Sequence, residues 1–229
     1  MEKHRRKVTY LEVPRGLWRV VKKWLPKVRH GQVGRPRADN RRVLNAIWYV
    51  LWSGCQWKAV HKSWFGVCST TIHARFQEWQ RAGIFKRMMR ALVRYYHKQR
   101  RIGWRWQALD SKSVPAPLAQ EAVGRNPVDR GKQGSKLHLL VDQLGAPLAV
   151  CVSGANQHDK WFADDLVIAI VVRRPSVRQH LCADKGYDFA DVRDFLAHAR
   201  YCVHIPHKRL RGEALPPLPL DPPPYPARR

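Results

Sequence analysis

Two acids stand where a metal-dependent reaction would need them. Trp104 to Asp110 (WRWQALD) and Gln179 to Asp184 (QHLCAD) are apolar, β-rich runs, and each ends in an aspartate. A carboxylate delivered by a central strand is rigidly held and partly desolvated, which suits a hard cation such as Mg²⁺ or Mn²⁺ that takes oxygen donors from one or two carboxylates. Taken singly, either aspartate also reads as a strand running into a polar turn. The repetition of the pattern singles out Asp110 and Asp184 as candidate catalytic and metal-binding residues. Lys185, next to the second acid, is placed either to touch a phosphate or to point into solvent.

The elements around these acids follow a recognisable order. Strand-like alternation covers Trp104 to Leu109, Lys136 to Asp142 and Pro147 to Ser153, with residues 143–146 as the hairpin turn. A helix is expected over Trp161 to Val172, a strand ending at Asp184, a helix from Ala190 to Ala199 and a last strand over Tyr201 to Ile205. The sequence βββαβαβ matches the ribonuclease H-like fold, in which the first and fourth strands are neighbours. Asp110 and Asp184 would then meet across the sheet, although 74 positions separate them. Basic, glycine-rich Gly124 to Lys136 lies between the first two strands, and Arg130, Lys132 and Lys136 there could track a DNA backbone; a basic loop without fixed structure is the alternative.

Charge divides the chain. The net charge is +26 over 229 residues, so a polyanionic partner is the default expectation. Residues 1–100 hold 24 Lys and Arg against 4 Asp and Glu, whereas residues 101–229 hold 19 against 13. The basic half is organised as helices: a short one around Leu17 to Leu25, one over Arg41 to Ser53 capped by Asp39 or Asn40 with Leu44, Ile47 and Leu51 on one face, and one capped by Ser69, Thr70 or Thr71 with Ile72, Phe76 and Trp79 facing inward. The opposite face of that helix carries Thr70, Ala74, Gln77 and Arg81, residue types that donate to base edges and phosphates. A third amphipathic helix over Ile84 to Tyr96 would bury Phe85, Met88, Leu92 and Tyr96. Two helices joined by a turn in so basic a setting suggest a helix-turn-helix-like unit. The linker before them, with Arg35 and Arg37 and followed by Arg41 and Arg42, is similar to arms that reach into the minor groove.

Other classes lose support. Five scattered cysteines, at 55, 68, 151, 182 and 202, never form a C-x-x-C pair and are expected as reduced thiols, with neither disulfide framework nor zinc site. His204 and His207 read as a strand end. The N-terminus has charge but no apolar h-region and no run approaches transmembrane length, so a cytoplasmic protein with no membrane partner is expected.

The whole pattern resembles the DDE transposases of IS5-type insertion sequences. The residues that carry the resemblance are Gly34 to Asp39 (GRPRAD) with Arg41 to Asn45, Ser53 to Trp57 (SGCQW), Phe76 to Gly83 (FQEWQRAG), Asp110 to Ser113 (DSKS), Asp129 to Lys136 (DRGKQGSK), Ser153 to Asp159 (SGANQHD) and Asp184 to Asp188 (DKGYD). The resemblance implies an all-α DNA-binding domain over 1–100 and a mixed-sheet α/β domain over 101–211. It implies Asp110 and Asp184 as the first two catalytic carboxylates, Mg²⁺ or Mn²⁺ as cofactor, and cleavage and joining of double-stranded DNA at terminal repeats, with two copies meeting at synapsis. His158 and Asp159 recur in the family pattern, with no firmer role than support of the site from a loop after the third strand; His158 could equally cap the next helix or sit satisfied in a polar turn.

One departure follows from the same resemblance. The family places a third acid, a glutamate, on a helix after the last strand, whereas residues 212–229 hold seven prolines, which forbid a helix through lost donors and fixed φ. The expectation is an incomplete catalytic domain with a Pro-rich disordered tail, as in a decayed copy or the first product of a frameshifting element. Glu213 and Asp221 are the tail's only acids, poorly placed as ligands. A DNA-binding remnant or regulator without catalysis is the alternative function.

Overall fold

A computed structural model describes residues 12–26, 36–117, 119 and 121–208. Contacts divide the chain into two compact units, residues 1–101 and 102–229. The expectations for Arg35, for Glu213 and Asp221 and for the tail lie outside the described residues.

The first unit contains α1 (Arg15–Val21), α2 (Asn40–Ser53), α3 (Lys62–Phe65), α4 (Ser69–Arg81) and α5 (Ile84–Lys98). Its core is apolar: Leu17, Val21, Val43, Leu44, Ile47, Ile72, Trp79 and Ile84 are buried together. Helix α2 starts where expected, because the Asp39 carboxylate accepts from Arg42 N–H at 2.9 Å and satisfies one of the donors that a helix N-terminus leaves open. Gly54 ends it in the left-handed conformation at φ +68°. The buried stripe of α2 is broader than Leu44 and Ile47, adding Val43, Ala46 and Val50. Leu51, expected inside, is 57% exposed; α2 turns Val50 inward in its place.

Two further expectations change in this unit. Helix α4 is capped by Cys68, not by Ser69, Thr70 or Thr71; the helix begins one residue earlier than a hydroxyl cap would require. In α5, Ile84 and Val93 are the buried residues, with Phe85, Met88 and Leu92 partly buried against the core. Tyr96 is 40% exposed and stacks edge-on with Tyr95. Burial of α5 thus runs from Ile84 to Val93 and lapses in its last turn.

The second unit is a mixed sheet with helices: β1 (Trp106–Pro115), β2 (Gly124–Arg125), β3 (Gln133–Asp142), β4 (Pro147–Gly154), α6 (Ala163–Ile168), β5 (Gln179–Ala183), α7 (Ala190–His198) and β6 (Tyr201–His204). The long strands lie in the order β4-β3-β1-β5-β6, and β2 pairs with the start of β3 beyond β4. Strands β4, β3 and β1 are antiparallel neighbours, while β1, β5 and β6 run parallel. This is the ribonuclease H-like order, and it sets the first strand beside the fourth long strand. Strand residues alternate between faces: Gln107, Leu109, Leu140 and Leu181 are buried, on the side of α6 and α7, whose Leu166 and Leu196 are buried too. The other face holds Ala108 and Asp110, with Leu137, Val150 and Val152 exposed.

Local chemistry fixes the hairpin at the sheet's outer end. The Asp142 carboxylate accepts from Leu144 N–H, Ala146 N–H and Gly103 N–H, and Gly145 takes φ +81°. The helix expected over Trp161 to Val172 is shorter, a 3₁₀ turn over Asp159–Phe162 followed by α6. Gly124 to Lys136, weighed as a loop, is a short hairpin in which β2 pairs with β3.

Candidate functional site

Strand β1 does not end at Asp110. It runs on to Pro115, pairing with β3 throughout, whereas its parallel pairing with β5 stops at Leu109 opposite Ala183. Asp110 and Asp184 are each one step beyond that last pair, so they are neighbours on adjacent strands and share a face. Both carboxylates are exposed.

Each is anchored by its own backbone. Asp110 Oδ1 accepts from Ser111 N–H at 2.7 Å, and Asp184 Oδ1 accepts from Gly186 N–H at 2.8 Å as the cap of a 3₁₀ turn over Lys185–Tyr187. The second oxygen of each takes no hydrogen bond from the described residues. At position 186 a Cβ would come within 2.8 Å of Asp184 Oδ1, so any larger residue there displaces the carboxylate.

Beneath the acids lies a polar layer that sequence reasoning did not assemble. Asp159 Oδ1 accepts from Ser111 Oγ at 2.8 Å and pairs with Lys136 Nζ at 3.0 Å. Lys136 also donates to the Gln157 carbonyl at 2.8 Å. His138 is fully buried, stacked on Phe162 with ring centroids 4.0 Å apart, its Nε2 2.8 Å from Ser153 Oγ and its Nδ1 3.8 Å from Asp159. Burial, helped by the Lys136 charge and opposed by Asp159, lowers the His138 pKa, so the ring is neutral.

Tyr187 closes the layer. Its side chain is buried, and burial first, then the charges of Asp159, Asp184 and Asp110, push the phenol far above its usual range. Ser111 Oγ lies beside it but is directed at Asp159, which leaves the phenol oxygen without a well-formed partner. One buried O–H therefore senses all three carboxylates. The signal in the sequence was polar Lys136 and His138 at alternate positions of an otherwise apolar strand, which put both on the face of Ser111.

Among the described residues no group of three or more His, Cys, Asp or Glu is arranged to hold a metal ion. The donors on offer are Asp110 and Asp184, each with an oxygen to spare. That set fits a small hard cation, which binds through one or two carboxylates and keeps several waters. Lys185 is exposed beside them.

The candidate DNA contacts are scattered. Thr70 and Arg81 are exposed on α4 and Gln77 is half-buried there, within 3.4 Å of His73. Arg37 pairs with Glu78 and Arg41 with Glu12 at 3.8 Å, while Arg42 lies against Gly66. Arg130 is exposed in the turn between β2 and β3, where Lys132 pairs with Asp129 at 3.4 Å. His158 caps the 3₁₀ turn, its Nδ1 accepting from Lys160 N–H at 3.2 Å. All five cysteines are free, and no helix among the described residues is long and apolar enough to cross a membrane.

Strand order and paired carboxylates define a ribonuclease H-like domain that follows a basic helical unit in the sequence. The family described as "Putative transposase of IS4/5 family (DUF4096)" matches residues 13–89, and the "Transposase DDE domain" matches residues 105–216. Together they take in most of the chain, which belongs to the IS4/5-type insertion-sequence transposases. Two Burkholderia cepacia proteins are similar: the insertion element IS402 uncharacterized 16.2 kDa protein, 28% identical over 48% of this chain and 78% of its own length, and a putative transposase for insertion sequence element IS402, 39% identical over 29% and 34%. Among solved structures, the piggyBac transposase synaptic complex with hairpin DNA is similar at TM-score 0.45 and 10% identity, covering 82% of this chain and 45% of that one. The Mos1 transposase paired-end complex is similar at 0.31 and 15%, covering 79% and 61%. Both scores are low, so the fold assignment rests on the strand order.

Proposed function

We propose that this chain binds double-stranded DNA at the terminal repeats of its element and that Asp110 and Asp184 carry metal-dependent strand cleavage and transfer there. The observation behind this reading is the β1–β5 register, which makes the two acids neighbours with one oxygen each to spare. A bound Mg²⁺ or Mn²⁺ would activate the attacking water or 3′-hydroxyl and stabilise the leaving oxygen. Asp110 and Asp184 would hold it, Gly186 N–H and Ser111 N–H fix the carboxylate directions, and Lys185 would meet a phosphate oxygen. The cations of the first unit, with Arg35, Arg37, Arg41, Arg42 and Arg81 in the lead and Thr70 and Gln77 as neutral donors, would supply affinity for the duplex, and Arg130 and Lys132 are assigned to its backbone near the sheet, whereas Lys136 is held on Asp159 and the Gln157 carbonyl. Synapsis of two ends calls for two copies, and the work belongs in the cytoplasm, on the nucleoid.

The test is Mn²⁺ binding and nicking of a duplex that carries the element's ends. Asp110→Asn and Asp184→Asn are each expected to abolish both while duplex affinity persists; nicking that survives either substitution overturns the assignment. A second reading, a regulator that occupies the ends without cutting, is favoured by the lack of a three-donor metal cluster among the described residues. It expects duplex binding without turnover. Both readings require steep salt dependence: a protein making about 6–10 phosphate contacts loses roughly 10³–10⁵ in affinity between about 50 and 200 mM salt.

A further inference from the structure

The first unit contains a second polar site, built from none of the residues assigned to the metal and sharing Arg37 with the proposed duplex contacts. A cavity of about 270 Å³ is lined by Arg37, Lys62, Gly66, Cys68, Thr71 and Arg75, among others. It opens at the N-terminus of α4, a helix of 13 residues, where unsatisfied N–H groups and the helix dipole favour an anion. Cys68 caps that helix, and its Sγ lies 3.3 Å from Thr70 Oγ1 and 3.0 Å from Thr71 Oγ1.

Arg75 is the decisive residue. Only 7% of it is exposed, and its Nη1 has no hydrogen-bond partner. The nearest counter-charge, Glu78, is 3.7 Å from its Nε and is shared with Arg37. A guanidinium so far out of water is costly unless its donors are met, and Arg75 is among the residues that line the cavity. Burial first, then Arg37, with Glu78 opposing, lowers the Arg75 pKa. Counting Arg37, Arg42, Lys62 and Arg75 against Glu78, the surroundings of the cavity carry an excess of three positive charges. A small anion with several acceptor oxygens meets each of these demands at once.

We propose that this cavity is a phosphate site, which seats one backbone phosphate of the bound duplex on Arg75, Lys62 and the start of α4. The inference rests on the DNA-binding reading above and gives it a definite contact. Cys68, at the rim, reports on occupancy. The hydroxyls of Thr70 and then Thr71, with the Thr71 N–H, lower its thiol pKa to about 7, so a large thiolate fraction is available to an alkylating agent at neutral pH. A phosphate beside the sulfur disfavours that thiolate and covers it.

The experiment follows alkylation of Cys68 by iodoacetamide in the full chain, resolved by peptide mass spectrometry. It is run at one pH and ionic strength with chloride, inorganic phosphate or a short duplex, alongside duplex binding by fluorescence anisotropy. Raising the thiol pKa by about one unit cuts the thiolate toward a tenth, so duplex and inorganic phosphate should each slow Cys68 by up to about tenfold. Lys62→Ala, an exposed change, should weaken that protection and lower the salt slope of duplex binding by about 1. Arg75→Lys should weaken protection further where the variant folds. Duplex binding that leaves Cys68 alkylating at its free rate overturns the proposal and spares the DNA-binding reading. A chain that binds no duplex, yet is protected by inorganic phosphate, sinks the DNA-binding reading and with it the backbone assignment.

Discussion

The two units treat their charged groups in opposite ways. In the first, all three described acids are taken up by local partners: Asp39 by the cap of α2, Glu12 by Arg41 and Glu78 by Arg37 and Arg75. Most of the described cations there have no carboxylate among the described residues to meet, and the core is apolar. In the second unit several cations are tied to acids, as in Lys136 with Asp159, Lys160 with Asp191 and Arg193 with Asp188. One unit keeps its charge for a partner outside the chain; the other uses charge to hold side chains in place.

Substitutions can break this contrast. Trp79 is the largest fully buried side chain, and Trp79→Ala should cost about 3–5 kcal/mol, read by chemical denaturation; a small loss would mean the apolar core is not what holds the first unit. Lys136→Met removes the partner of Asp159 and leaves that carboxylate half-buried without its cation, for a loss of about 1–3 kcal/mol. Arg81→Met, on the exposed face of α4, should leave stability nearly unchanged and weaken duplex binding. Equal effects of the two on stability would erase the distinction between the units.

A titration sharpens it further. His138 has a lowered pKa in the fold, whereas the unfolded chain takes up its proton near pH 6.5. The unfolded state therefore binds more protons, and stability should fall as pH drops below about 6.5. His138→Gln should flatten that dependence, as followed by denaturation at several pH values. Last and smallest, Asp39→Ala should cost about 1 kcal/mol through loss of the α2 cap, with duplex binding reduced only as far as α2 frays. Gly186→Ala, by contrast, acts on geometry: the Asp184 carboxylate must move, and Mn²⁺ affinity should fall with little change in stability.

What the sequence disclosed follows the range of the interactions involved. The Asp39 cap, the Gly54 stop and the 143–146 hairpin depend on residues a few positions apart, and each is legible in its own stretch. The juxtaposition of Asp110 with Asp184 was reachable only because the order of elements implied a strand arrangement. Leu51 and Tyr96 misled because periodicity gives a helix's apolar face but not how far neighbouring elements cover it. Cys68 was passed over for the hydroxyls beside it, since a thiol is a poor cap by residue type. The layer of Ser111, Lys136, His138, Asp159 and Tyr187 draws on four separate segments, and Lys136 in particular looked like one more DNA contact.

Strand β1 continues from Asp110 to Pro115 after β5 has stopped, paired there with β3 alone. That stretch is a cantilever: its root is clamped by ladders on both sides and its free length by one. Amide hydrogens over 110–115 should exchange with solvent sooner than those over 107–109, because local opening breaks half as many inter-strand links. The first acid sits at the root of the beam, where stiffness gives way to compliance, and the second sits beside it on a turn. A substrate that settles against Asp110 would thus meet a surface able to yield on one side while the other holds still.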